Sequence, residues 1–283
     1  MKIYIYILLV SLCTTSCLEE IVIDELSNIS PRLVIEANLN INQNSPTGKQ
    51  SIKVTKTAGY YEDDNYSPVL GASILVTDKN GNSMGTFLDV NPGTSEIEDG
   101  EYTANDFDTL TVGEMYFLKV VVDGETYTAQ DTYTSISEIN SITQKIITFP
   151  QERIQLNINV KNEKDIDNYF LSKFQTPYRT IPAYDVTDDQ QYDDSQDTNF
   201  FDIGFIDEEL EAEMEVNIEL YGISKEYYNY LAKILVLSQG SNGPFSTAPA
   251  SIRGNLLNTT LQDNYALGYF SVNQFIKTTY EVQ

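Results

Sequence analysis

Met115-Tyr-Phe-Leu-Lys-Val-Val-Val-Asp-Gly-Glu-Thr-Tyr-Thr-Ala-Gln130 decides the fold class. Two runs rich in β-branched and aromatic residues flank Asp123-Gly124, a pair that tolerates the positive φ of a tight hairpin turn. Upstream, Arg32-Leu-Val-Ile-Glu-Ala-Asn-Leu-Asn40, Ser51-Ile-Lys-Val-Thr55 and Ala72-Ser-Ile-Leu-Val-Thr77 read as further strands, and Asn80-Gly81 marks a second turn. About seven short strands over roughly 110 residues is the density of a β-sandwich. Residues 32–140 are therefore assigned to an N-terminal sandwich.

The domain junction is placed within residues 136–151, and strands resume at Ile154-Gln-Leu-Asn-Ile-Asn-Val160 and Tyr169-Phe-Leu-Ser-Lys-Phe174. Residues 185–215 hold thirteen acids and no base, so an acidic loop is expected over 185–211. Glu213-Met-Glu-Val-Asn-Ile-Glu-Leu220 alternates strictly, and its glutamates read as the wet face of a strand. Residues 224–238 form the one convincing helix. Ser224 can cap its free amides, and Tyr227, Tyr230, Leu231, Ile234 and Leu235 share one face that packs on a sheet. Gly240-Ser-Asn-Gly243 ends it; Tyr265-Ala-Leu-Gly-Tyr-Phe-Ser-Val272 supplies the last strand, with 275–282 adding another. The predicted class is mostly β: two tandem β-sandwich domains, 32–140 and 141–283, the second carrying one amphipathic helix.

Composition excludes several functions. With 42 acidic and 17 basic side chains in 283 residues, the net charge is −25, the wrong sign for nucleic acid or an anionic lipid surface. The chain has no His, which removes imidazole relays and the commonest zinc sites. It has no Trp, so any aromatic platform must come from its 20 Tyr and 12 Phe. Both cysteines fall within the first seventeen residues.

That N-terminus carries an address. Lys2 precedes an apolar run from Ile3 to Leu12, half the length of a membrane span, and Thr14-Thr15-Ser16 leads to Cys17. The pattern resembles the bacterial lipoprotein signal, cut before a Cys that becomes lipidated, although Thr14 stands where an aliphatic residue is usual. Residues 1–16 are read as the signal peptide and 17–31 as a lipidated tether, with palmitate among the chains on Cys17. Glu19 and Glu20 resemble the export signal of Bacteroidota lipoproteins. The expected location is the outer membrane, lipid-anchored and facing the cell exterior.

Pro68-Val-Leu-Gly-Ala-Ser-Ile-Leu-Val-Thr-Asp78 followed by Gly100-Glu-Tyr102 resembles the immunoglobulin-like or transthyretin-like modules of bacterial surface proteins. Taken with Leu33-Val-Ile-Glu36, the Ser224-Lys-Glu-Tyr-Tyr228 helix and the block Pro244-Phe245, Pro249, Gly254-Asn255 and Ala266-Leu-Gly-Tyr-Phe270, the mature chain is similar to the DUF4249 lipoproteins of Bacteroidota. The resemblance implies an accessory role beside a TonB-dependent outer-membrane receptor and supplies no catalytic residues.

Two readings follow: a non-catalytic surface lipoprotein that serves such a transporter as capture module, lid or scaffold, or a free-standing structural or adhesive protein. A carboxylate-based glycoside hydrolase ranks below both, because no motif selects two of the 42 acids. No cofactor is expected. Asp188, Asp189, Asp193, Asp194 and Asp197 offer hard oxygen ligands suited to calcium, but without a calcium-loop pattern a self-repelling acidic loop is the preferred reading. Asp108-Thr109-Leu110 resembles a short O-glycosylation signal, which makes Thr109 a candidate.

Overall fold

The computed structural model describes residues 31–46, 48–58, 67–90, 100–148, 151–161, 167–189, 200–238 and 252–283. The quoted hairpin forms as read. Strand β7 (Met115–Val122) pairs antiparallel with β8 (Glu125–Thr132), and Asp123 and Gly124 take φ values of 52° and 79°. Tyr116, Leu118, Val120 and Val122 are buried while Met115 and Lys119 are exposed, so period-two alternation sets the inward face. The Asn80-Gly81 turn is held by Asp78, whose carboxylate accepts from the amides of Asn80 and Asn82, each at 2.8 Å.

Strands β4 (Ser73–Thr77) and β15 (Leu257–Asn258) flank that hairpin, giving a four-stranded sheet in the order β15-β8-β7-β4. A nine-stranded sheet faces it. Its first part holds β1 (Leu33–Asn42), β2 (Gln50–Lys56), β3 (Ser67–Pro68), β5 (Leu88–Asp89) and β6 (Glu101–Ala104). Its second part holds β11 (Tyr169–Gln175), β12 (Ala183–Asp188) and β14 (Glu215–Gly222). Strand β16 (Leu267–Glu281) joins them in the order β12-β11-β14-β16-β1-β2-β6-β5, with β3 paired to β2. A third sheet, β13-β10-β9, is built from β9 (Ile139–Ile147), β10 (Arg153–Lys161) and β13 (Phe200–Asp207).

The protein is mostly β and sandwich-like, with one helix among the described residues, α1 (Lys225–Ser238). One core lies between the four-stranded sheet and the β1-β2-β6 part of the large sheet, around Ile35, Leu39, Ile52, Leu118 and Phe270. A second lies between the three-stranded sheet and the β11-β14 part, around Leu156, Ile158, Phe174, Phe201 and Ile218. Strand β16 serves both: Phe270 and Val272 enter the first core, and Ile276 and Tyr280 pack against the second, which Val282 just beyond the strand joins. Full burial of a side chain such as Phe270 stabilises by about 1.5–3 kcal/mol.

Four boundaries differ from the sequence reading. The division at 140/141 is crossed by the large sheet, because β1 pairs in parallel with β16 from Val34–Leu267 to Asn42–Phe275. Leu256, Ala266, Phe270 and Val272 thus belong to the first core although they come late in the chain. The expected pair of strands at 265–272 and 275–282 is one continuous fifteen-residue strand. The acidic loop expected over 185–211 contains strand: β12 reaches Asp188, and Phe200–Asp207 alternates with Phe201, Ile203 and Phe205 inward. Asp202 sits on an outward position, whereas Asp207 is buried and paired with Arg179; the charge density of the stretch masked the alternation beneath. Finally, the junction 136–151 contains β9, nine residues long.

Candidate functional site

Helix α1 begins where the sequence places its cap: the Tyr227 amide donates to Ser224 Oγ at 3.3 Å, and Glu226 lies in the first turn, where the helix dipole favours a negative charge. Its tyrosines pack on the outer face of the large sheet. Tyr227 and Tyr230 lie against Tyr269 of β16 with ring centroids 4.7 and 4.8 Å apart, and Tyr228 meets Tyr169 of β11 at 5.2 Å. Burial pushes the Tyr227 and Tyr269 hydroxyls well above the ordinary tyrosine range, so both stay neutral at physiological pH.

The face beneath is polar as well as aromatic. Ser271 and Asn273 of β16 are buried and bonded to β1: Ser271 Oγ donates to Asn38 Oδ1 at 2.8 Å and Asn273 Nδ2 to Asn40 Oδ1 at 3.0 Å. Asp131 of β8 is buried too, and its carboxylate accepts from the Val272 amide at 2.9 Å. Burial pushes Asp131 up to about 6; the bonds from Val272 and Ser224 oppose the shift, and nearby Glu226 adds to it.

Between α1 and residues 252–255 runs a cleft of about 230 Å³ lined by Glu226, Asn229, Tyr230, Lys233, Arg253 and Tyr269. Positions 226, 229, 230 and 233 follow i, i+3, i+4, i+7 spacing, one stripe of the helix. Arg253 is further positioned by Tyr265, whose ring centroid lies 3.8 Å from its guanidinium carbon; Arg32 stacks on the same ring at 3.9 Å. A second, larger groove of about 460 Å³ lies on the four-stranded sheet, with Leu75, Phe117 and Leu257 beside Lys119 and Gln130.

A family model described as "Domain of unknown function (DUF4249)" matches residues 19–278. The chain belongs to the DUF4249 family. Within the block that resembles DUF4249 proteins, the described residues have architectural work. Gly268 sits at φ +96°, and a Cβ there would collide with the Ile35 carbonyl; a Cβ on Gly254 would collide with the carbonyl of Gly268. Asn255 stitches β16 to β8: its Nδ2 donates to Phe270 O at 2.8 Å and to Gln130 O at 3.1 Å, and its Oδ1 accepts from the Phe270 amide at 2.9 Å. Pro244, Phe245 and Pro249 lie outside the described residues.

No curated protein matches the chain. Solved structures similar to it include a two-domain fibronectin type-III segment of chicken tenascin, at 10% identity over 68% of this chain and 90% of that one, with a TM-score of 0.21. A structure of the receptor tyrosine kinase Torso is similar at 12% identity over 65% and 71% of the two chains, with a TM-score of 0.20.

The residues singled out in sequence fall in three places. Cys17, Glu19, Glu20, Asp193, Asp194 and Asp197 lie outside the described residues. Asp188 and Asp189 are described and engaged by protein: Asp188 accepts from the Tyr228 hydroxyl at 2.7 Å, and Asp189 from the Asn168 amide at 3.0 Å and its side chain at 2.8 Å. Among the described residues no group of three or more acidic side chains is placed to hold a metal ion. Thr109 is exposed between the buried Phe107 and Leu110, outside any strand. The cleft was missed. Its signal was the polar stripe beside the tyrosine stripe of the helix, but its Arg253 wall comes from a segment whose approach to α1 no local pattern encodes.

Proposed function

We propose that this chain is a cell-surface lipoprotein, anchored in the outer membrane through Cys17 and exported through Glu19 and Glu20. It acts without catalysis as capture module, lid or scaffold for a TonB-dependent outer-membrane transporter. The observation that carries the reading is β16, which sits in one sheet between β1 and β14 and contributes to both sandwich cores and to the face under α1. Residues 32–57 and 66–283 accordingly form one compact unit. A lipid-anchored body built this way presents its helix face and clefts as one piece, as a lid or capture module requires. The partner in this reading comes from the resemblance to DUF4249 lipoproteins; the family model itself is described as a domain of unknown function. No helix among the described residues is long and apolar enough to cross a membrane, and the attachment in this reading is the lipid on Cys17 that the Thr14-Thr15-Ser16-Cys17 pattern supports.

Affinity purification of the native lipidated protein tests the proposal. Co-purification of a TonB-dependent barrel is the expected result, and recovery of the protein alone, under conditions that preserve known barrel complexes, refutes it. In parallel, a clickable palmitate should label the wild type and leave Cys17→Ala unlabelled. Replacing Glu19 and Glu20 by Ala should reduce shaving by external protease while preserving that label.

A further inference from the structure

We propose that the cleft between α1 and residues 252–255 binds a small organic oxyanion, a carboxylate or phosphate compound, with Arg253 and Lys233 as its anion-binding pair. The cleft holds two bases and one acid, against the trend of a chain whose net charge is −25. Six basic side chains elsewhere, Lys56, Lys79, Arg153, Lys173, Arg179 and Lys277, are held by carboxylates in ion pairs. Arg253 and Lys233 form none with the described residues, and residues 239–251, which connect the two walls, contain no acid.

Stacking replaces a carboxylate as the device that orients Arg253. Tyr265 takes the face of the guanidinium, which leaves the in-plane N–H donors directed at its rim, the geometry that suits a planar or tetrahedral oxyanion. Arg32 on the same ring adds a second positive charge that no described carboxylate neutralises. Lys233 supplies a point charge from the helix, and the Tyr230 and Tyr269 rings supply an apolar wall for the carbon part of the ligand. Glu226 lies seven residues from Lys233, about 10 Å along the axis at 1.5 Å per residue. Glu226 and Lys233 thus stand two turns apart on the helix wall, and Glu226 offers an acceptor for a ligand hydroxyl or amine away from Lys233. A volume near 230 Å³ matches a ligand headgroup the size of a sugar phosphate or a small organic acid.

The site stands apart from the transporter reading, and its test needs only the purified full chain in detergent. Melting would be followed in sodium phosphate, in sodium acetate and in sodium chloride at one ionic strength. Phosphate, acetate or both should raise the midpoint by about 3 °C over chloride, and which of them does so assigns the headgroup. Lys233→Gln, on an exposed helix position, should abolish most of that rise, and Arg253→Gln all of it. Lys119→Gln, in the other groove, should leave it intact. Equal midpoints in all three salts, or a rise that survives in Lys233→Gln, would overturn the proposal.

Discussion

Asp131→Asn is the substitution whose effect the structure fixes most fully. The carboxyl is buried on β8, accepts from the Val272 amide, and has its pKa pushed up to about 6 from an ordinary value of 3.8. The folded state therefore binds this proton more tightly than the unfolded state does. Between pH 3.8 and 6 the folded chain carries the extra proton, so this group's contribution to stability is fully present below 3.8 and lost as pH rises through 6. A shift of about two units corresponds to about 3 kcal/mol, the cost of keeping the buried carboxylate ionised at pH 8. Asn keeps the shape and an oxygen for the Val272 amide, and carries no charge to desolvate. The variant should be more stable than the wild type by up to about 3 kcal/mol at pH 8, falling to near zero at pH 4. Urea unfolding of both proteins at steps from pH 4 to 8 measures this difference directly. The wild-type curve alone would not, because hydrogen bonds hold Asp78 and Glu125 below the ordinary carboxylate range, and these groups lose stability in the opposite direction as pH falls. A difference that does not change with pH, or a loss of stability at pH 8, would refute the assignment.

Gly268→Ala should destabilise by more than about 3 kcal/mol or prevent folding, because the residue combines positive φ with a collision against the Ile35 carbonyl; circular dichroism melts would show it. Asn255→Ala should cost about 2–3 kcal/mol in urea unfolding, since it strips three hydrogen bonds from the β8–β16 contact and leaves buried backbone groups unpaired. Calcium should raise the melting midpoint no more than magnesium or sodium at matched ionic strength, because screening of the acids is the operative effect. A calcium-only rise that disappears in Asp193→Asn with Asp194→Asn would overturn that expectation.

Local pattern determined which residues became strands, and it determined little about their partners. Asp123-Gly124, the alternation of 115–122 and 125–132, and the Ser224 cap all carry their information within a few residues, and each formed as read. Strand β16 carries alternation too, but its parallel pairing with β1 spans more than 230 residues of chain, a contact specified by the packing of both cores. The acids of residues 200–207 show a different limit. Asp202 follows the outward phase of the strand as a polar residue should, yet charge density over a wider window gave that region the look of a loop.

The block that resembles DUF4249 proteins carries architecture more than ligand recognition. Gly254, Asn255 and Gly268 are each required by a close approach of β16 to its neighbours: one carbonyl collision avoided, one side-chain staple, one positive φ. The residues that give the cleft its charge, Lys233 and Arg253, sit one on an exposed helix face and one immediately before Gly254, where they are held by position and bear none of the fold's closure. Substituting them should therefore change what the cleft attracts while leaving the sandwich intact. The staple does the reverse: Asn255 borders both the cleft and the groove on the four-stranded sheet, so its loss should loosen both at once. Backbone closure thus positions the walls of the cleft, and ligand choice rests on two side chains that the fold leaves free to vary.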